Sequence, residues 1–314
     1  MRAATGRRAT HSGRLAVAAC VLSLWSPCGA SAADSNAAAA PADSNAAAAP
    51  ADSAAAPANA AAPPKPYVAS CPGAATFRAV LDVGHTAEVP GAMSARGATE
   101  YSFNLRLAGE IDKELRAAGF AHTELMITGG EAKPSLFKRV ARATALKADL
   151  LLAIHHDSVP DSFLETWQFE GQEQHFSDRF SGHSVFVSNQ NGDRAGSLAF
   201  AKLIGNALAA RGLHYTPHYT EKFMGHWQHE LVDAKAGVYR YDKLIVLKKT
   251  RMPAVLLEAG SIINRTDELQ LATPERQATI AGAVVEAVDA FCDERTAKPK
   301  SAVAAKKAKK IHKM

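Results

Sequence analysis

Three runs of bulky apolar residues constrain this chain more than anything else in it: FRAVLDV (77–83), LLLAI (150–154) and AVLLE (254–258). Each is apolar at nearly every position. A strand sends successive side chains to opposite faces of its sheet, so a run of this kind needs cover on both faces. Parallel strands sandwiched between helices meet that condition. ELMIT (124–128) and HSVFVS (183–188) read as further strands.

Helical stripes lie between the runs. Phe103, Leu107, Ile111 and Leu115 recur at four-residue steps and Gly119 supplies a stop. Leu136, Val140 and Ala143 make a second stripe, with Ser135 placed to cap it. Residues 195–211 form another helix, and Thr273-Pro274 opens a last one with Ile280, Val284 and Val288 on one face. Residues 159–182 and 213–240 break the pattern and read as irregular insertions. The expected fold class is α/β, a mostly parallel sheet flanked by helices on both faces.

The two ends are of different composition. Residues 1–32 contain Arg2, Arg7, Arg8 and Arg14 without an acid, then LAVAACVLSLW (15–25) and Ala30-Ser31-Ala32. That is a signal peptide cut before Ala33, and its apolar stretch is too short to span a bilayer. The predicted destination is outside the cytoplasm, periplasmic or associated with the cell envelope. Residues 33–69 repeat ADSNAAAAP and related Ala/Pro units, a disordered spacer. The folded domain is expected over 70–295. Residues 296–314 hold seven lysines and no acid, a disordered tail able to touch an anionic envelope polymer through charge.

The net charge of +5 therefore belongs to the ends, because residues 33–295 carry 25 basic against 31 acidic groups. A basic body for nucleic acid is excluded. Cys20 and Cys28 leave with the signal. Cys71, before the first strand, and Cys292, at the end of the last helix, either bridge or stay apart, and geometry decides.

Three buried strands end in a group that binds metals or moves protons: His85 after RAVLDVG, His155 after LLLAI, and Glu258 closing PAVLLE. Ligands of open parallel sheets bind at the carboxyl ends of the strands, so these groups are expected to converge on one edge. The loop TAEVPGAMSARGATE turns at Pro90-Gly91 and Gly97 and brings Glu100, at the start of a helix, back towards His85. Two imidazoles and a carboxylate with a fourth position open describe a catalytic zinc site. The plainer reading of Glu100 alone is a helix-start acid facing the dipole. His156 follows His155 and, by alternation, points to the other face. His175, His183, His214, His218, His226 and His229 lack regularly spaced acids and read as surface or groove residues, not a second metal centre.

VLDVGHTAEVPGAMSARGATEYSFNLRLAGEIDKELRAAGF resembles the opening block of the zinc-dependent N-acetylmuramoyl-L-alanine amidases of the amidase-3 type. LFKRVARATALKADLLLAIHHDS and KLIVLKKTRMPAVLLEAGSIINRTDELQL resemble the second and third blocks, so the likeness spans about 77–290. It implies Zn²⁺ on His85, Glu100 and His155, with Glu258 as the catalytic carboxylate. It also implies peptidoglycan as substrate, cut between N-acetylmuramic acid and the L-alanine of the stem peptide; whether a protein activator is a further partner stays open. The competing readings are another exported zinc hydrolase, a peptidase or deacetylase, and an inactive relative that only binds the envelope.

Departures from the family pattern are Thr86-Ala87 where two glycines are common and Ser261 where an aromatic is common. The short segment after HSVFVS predicts no self-blocking helix, which leaves Glu170 or Glu173 as candidates for such a plug. Asp82 is expected to orient a ligand, and Asn264 to fix the loop after Glu258.

Overall fold

The structure, a computed structural model, describes residues 67–297. The expected signal peptide, nearly all of the spacer and nearly all of the lysine tail lie outside the described residues. In chain order the elements are β1 (Ala79–Val83), α1 (Glu100–Ala118), β2 (Glu124–Met126), α2 (Ala132–Ala145), β3 (Leu150–Asp157), β4 (Glu165–Phe169), β5 (Gln172–Phe176) and β6 (Ser184–Val187). There follow α3 (Arg194–Ala210), β7 (Glu230–Asp233), β8 (Val238–Arg240), α4 (Ile245–Lys249), β9 (Ala254–Ser261), α5 (Arg265–Leu271) and α6 (Pro274–Ala297).

Seven strands form one sheet in the order β2-β1-β3-β9-β6-β8-β7. Four of its six neighbouring pairs are parallel; β9/β6 and β7/β8 are antiparallel. The sheet is thus mostly parallel. Its two faces are sorted by alternation. Leu81, Ile154 and Leu257 point to one face with residues of α1, α3 and α6. Val80, Leu151 and Leu256 point to the other, against α2 and the one-turn helix α4. The second face has less helix to cover it, and the chemistry-bearing side chains of β3 and β9 lie there.

Local signals set most boundaries. The Thr99 hydroxyl accepts from Ser102 N–H at the start of α1, and Gly119, at φ 108°, ends that helix in the left-handed region. The predicted cap of α2 is corrected. Glu131 precedes the helix, Ser135 is buried inside it, and the Ser135 hydroxyl donates to Ala132 O at 2.7 Å. Pro134 falls in the first turn, where a missing N–H costs no helical hydrogen bond, so α2 starts earlier than expected.

Both supposedly irregular insertions contain strands. β4 and β5 form a hairpin whose two turn residues, Glu170 and Gly171, have φ of 50° and 76°, the signature of a mirror-image tight turn. Trp167 anchors it, donating from Nε1 to Ala95 O at 2.9 Å with the Arg96 and Arg265 guanidinium groups 5.4 and 5.1 Å from its ring. Residues 213–240 supply β7 and β8, the sheet's far edge. Val159, Phe180 and Ile263 pack with Phe163 and Phe223, joining the two insertions.

The ends of the domain are tied together. Cys71 and Cys292 form a disulfide with Cα atoms 5.9 Å apart. Beside it Asp289 accepts from Cys71 N–H, Ser70 N–H and the Tyr67 hydroxyl at 2.8 to 2.9 Å. The folded part accordingly includes Tyr67, and α6 continues to Ala297, slightly beyond the limits expected from composition.

Candidate metal centre

His85 follows β1 by two residues. Its backbone adopts φ 64°, unusual for a residue with a side chain, and is held there by Arg139 of α2. That guanidinium is buried and donates to the carbonyls of Val83 and His85 and to the Asp82 carboxylate. Asp82 was expected to orient a ligand. In the structure it pairs with Arg139, which in turn donates to the His85 carbonyl, so Asp82 bears on His85 only through the arginine. Thr86, in place of a glycine, donates to Gly130 O at 2.8 Å and accepts from Val89 N–H at 3.0 Å, pinning the loop.

The loop then closes on the start of α1. Glu100 N–H donates to Ala92 O and Tyr101 N–H to Pro90 O, which places the buried Glu100 carboxylate between the histidines. Its Oε2 lies 2.9 Å from His85 Nε2 and its Oε1 2.9 Å from His155 Nδ1. Two glycines make this approach possible. A Cβ on Gly91 would sit 2.5 Å from Glu100 Oε2, and one on Gly84 would sit 2.5 Å from His155 Nε2. One donor atom from each of His85, Glu100 and His155 falls within 4.8 Å of the others. Among the described residues this is the one such cluster, and two ring nitrogens with a carboxylate suit a divalent transition metal. Burial opposes ionisation of Glu100, but His155 and His85 outweigh it and hold its pKa below the ordinary value.

The adjacent histidines separate as alternation requires. His155 faces the cluster. His156 is buried on the α1 side, its Nδ1 2.8 Å from Asn104 Oδ1 and its ring 5.5 Å from that of Phe103. Asn104 Nδ2 donates to Gly84 O and Glu100 Oε1, which fixes the amide and makes His156 the donor at Nδ1. Burial pushes the His156 pKa down to about 3, so it stays neutral.

His155 pairs with Glu258 in the parallel register of β3 and β9, so the two side chains lie on one face of the sheet. Both sit inside their strands, since each strand runs on past the residue. Burial first, then the negative Asp157 and Glu100, raise the Glu258 pKa well above the carboxylate range. Its Oε2 has no hydrogen-bond partner. His85, His155 and Glu258 open into one cavity of about 450 Å³, which Tyr219, Trp227 and Tyr241 also line.

Several contributors carried no plain sequence signal. Arg139 is visible only as a charge inside an inward stripe with Ser135 and Ala143. Asp157 accepts from the Tyr219 hydroxyl at 2.7 Å, a contact across 62 residues, and burial lifts its pKa to about 7. His229 lines the cavity as a groove residue, whereas His183 and His218 are fully buried, which corrects the expectation of surface or groove positions. Glu170 lies at the hairpin tip and Glu173 on β5; both are exposed and neither reaches the cavity, so neither is a plug. Asn264 caps α5, accepting from Thr266 and Asp267 N–H, and so does fix the loop after Glu258.

Residues 79–290 match the family described as N-acetylmuramoyl-L-alanine amidase. The uncharacterized protein YqiI of Bacillus subtilis is 25% identical over 215 residues, 68% of this chain and 84% of that protein. Among solved structures, the amidase Ami1 of Mycobacterium smegmatis is 20% identical with a TM-score of 0.53, covering 70% of this chain and 98% of its own. The catalytic domain of the amidase CwlV from Bacillus (Paenibacillus) polymyxa var. colistinus is 25% identical with a TM-score of 0.50, covering 69% and 98%.

Proposed function

The chain belongs to the N-acetylmuramoyl-L-alanine amidase family, and from that premise we propose that it is an exported, zinc-dependent enzyme working through His85, Glu100, His155 and Glu258. The reaction is hydrolysis of the peptidoglycan amide between N-acetylmuramic acid and the L-alanine of the stem peptide. The observation that carries the residue assignment is the register pairing of His155 with Glu258, which puts a half-buried carboxylate, its Oε2 without a hydrogen-bond partner, in one cavity with His85 and His155.

The donor set fits zinc: two imidazoles and one carboxylate, no thiolate, and a side open to the cavity. Held there, the ion would supply Lewis acidity for the amide carbonyl and bring the pKa of a water towards about 7. The remaining work falls to the chain. Glu258 takes a proton from the attacking water and returns it to the departing nitrogen. Arg139 and Asn104 keep His85 and Glu100 in place, and the apolar wall limits competing water.

Export follows from residues 1–32, with residues 33–69 as a spacer, 70–295 as the catalytic part and 296–314 as an electrostatic contact to the envelope. No described helix is long and apolar enough to cross a membrane. A protein activator belongs to the same proposal. The test is digestion of purified murein with the zinc-loaded protein and mass analysis of the products. Free stem peptides and peptide-free glycan are expected; loss of a terminal D-alanine or of an acetyl group would sink the reading.

A further inference from the structure

Across the sheet Glu258 has two register partners, His155 of β3 on one side and Ser184 of β6 on the other. The β9/β6 pair is antiparallel, and residues directly opposite in such a pair send their side chains to the same face, with Cβ atoms about 4.5–5.5 Å apart. The next rungs agree: Val185 and Leu257 belong to the core on the α1, α3 and α6 side, Phe186 and Leu256 to the other. Ser184 thus shares the face of Glu258 and His155. It is fully buried, and its hydroxyl has no hydrogen-bond partner; Glu258 Oε2 has none either. On the far side of Ser184, the parallel register that pairs Val185 with Val238 sets Gly237, which has no side chain, with the Tyr215 side chain packed over it. The Tyr219 hydroxyl, which lines the cavity with Glu258, already donates to Asp157.

We propose that Ser184 is the positioning residue of the proton-handling carboxylate: its hydroxyl turns to donate to Glu258 Oε2 and leaves Oε1 as the oxygen that takes the proton of the attacking water. For its chemistry this rests on the amidase reading; for the pairing it rests on the sheet register alone. A serine hydroxyl is a rotor on one torsion, and a glutamate on the opposite strand is long enough to meet it without moving backbone. Two enclosed polar atoms without partners each carry a desolvation cost, and pairing with each other removes both. A neutral donor suits the place. A cation there would hold Glu258 as a tight ion pair and weaken it as a base, whereas a hydroxyl fixes its direction and leaves it able to accept a proton. The rest of the strand is apolar: Val185, Phe186 and Val187 are all core residues, so packing on β6 gives no reason for a hydroxyl at its head.

Ser184→Ala keeps the size of the site and removes only the hydroxyl, so a serine needed for its smallness alone would be replaced without loss. In the zinc-loaded protein acting on a soluble muramyl peptide, Ser184→Ala is expected to lower kcat on the order of tenfold, the effect of losing one hydrogen bond to a charged group, with KM and zinc content unchanged. Ser184→Thr, which restores a hydroxyl, should regain most of the rate. A second readout does not depend on turnover. With the glutamate carboxyls labelled with carbon-13, the infrared difference between the parent and Glu258→Gln isolates the Glu258 band, which should shift in Ser184→Ala and return in Ser184→Thr. A Ser184→Ala protein with the parent's kcat, a loss carried by KM alone, or a Glu258 band that Ser184→Ala leaves in place overturns the proposal. If the unmodified protein cleaves no muramyl peptide, the amidase reading fails, while the infrared comparison still decides the pairing.

Discussion

His155 and Glu258 are direct register partners on adjacent parallel strands, and their side chains share the face of the sheet that carries the fewest helices. In the proposed mechanism the centre has two halves, a metal-binding one around Glu100 and a proton-handling one at Glu258. Glu258 makes no contact with His85 or Glu100 close enough to serve as an ion pair or hydrogen bond, so its removal is expected to leave the metal site standing.

Glu258→Gln should lower turnover on murein by about 10²- to 10⁴-fold, the ordinary range for loss of a general acid–base group. Zinc content should stay that of the unaltered protein, and the melting temperature should be equal or higher, because a neutral amide is easier to bury than an ionised carboxylate whose Oε2 has no partner. Metal analysis, calorimetry and product assay on one preparation check all three.

The neighbouring histidines should behave oppositely. His155→Ala removes a proposed ligand and is expected to lose zinc. His156→Ala should keep most of it but lose stability, since the Asn104 amide oxygen is left buried without its donor, at a cost of about 1–3 kcal/mol. Zinc retained by the His155 variant and lost by the His156 variant would reverse the assignment.

His85, His155 and Glu258 stood out because each ends or follows a bulky apolar run, and strand alternation then told His155 from His156; Glu100, at a helix start after a loop, offered only the turn residues before it. Arg139 was harder to see. Periodicity marks an inward face but cannot say that a guanidinium on that face grips the backbone of His85. The β4/β5 hairpin has alternation in ETWQF and a turn at Glu170-Gly171, yet polar positions on its open side mask the pattern. Tyr219 reaches Asp157 across 62 residues, and no local signal encodes such a contact. The disulfide was limited to one pair by composition, and only the fold shows Cys71 and Cys292 side by side.

Arg139 gives a sharper test of how His85 is held. Arg139→Met leaves Asp82 buried and unpaired and should cost about 3–5 kcal/mol. Adding Asp82→Leu should restore most of that stability. The His85 carbonyl still lacks its donor in the double variant, so zinc affinity should remain weakened. Denaturant midpoints and competitive zinc titration distinguish the two effects; full recovery of both would show that the pair matters only for stability.

The Cys71–Cys292 bridge closes a sequence separation of 221 residues. Its reduction is expected to lower unfolding stability by about 2–5 kcal/mol while leaving the native fold, because Asp289 still holds the 67–71 segment to α6. The double variant Cys71→Ser, Cys292→Ser should show the same lowered midpoint and no further response to reductant.

That Asp289 clamp should make stability fall in acid. Burial opposes the carboxylate, but the N–H groups of Ser70 and Cys71 and the hydroxyls of Tyr67 and Ser70 outweigh it and hold the Asp289 pKa below the ordinary aspartate value. A group depressed in the folded state contributes its stability above the unfolded value of about 4, and loses it as pH falls through the folded value. Stability at pH 6 should therefore drop in Asp289→Asn, and the gap between variant and parent should shrink steadily as pH is lowered from about 4. A constant gap from pH 6 to pH 2 would mean that Asp289 acts by shape and neutral hydrogen bonding alone, with no contribution from its charge.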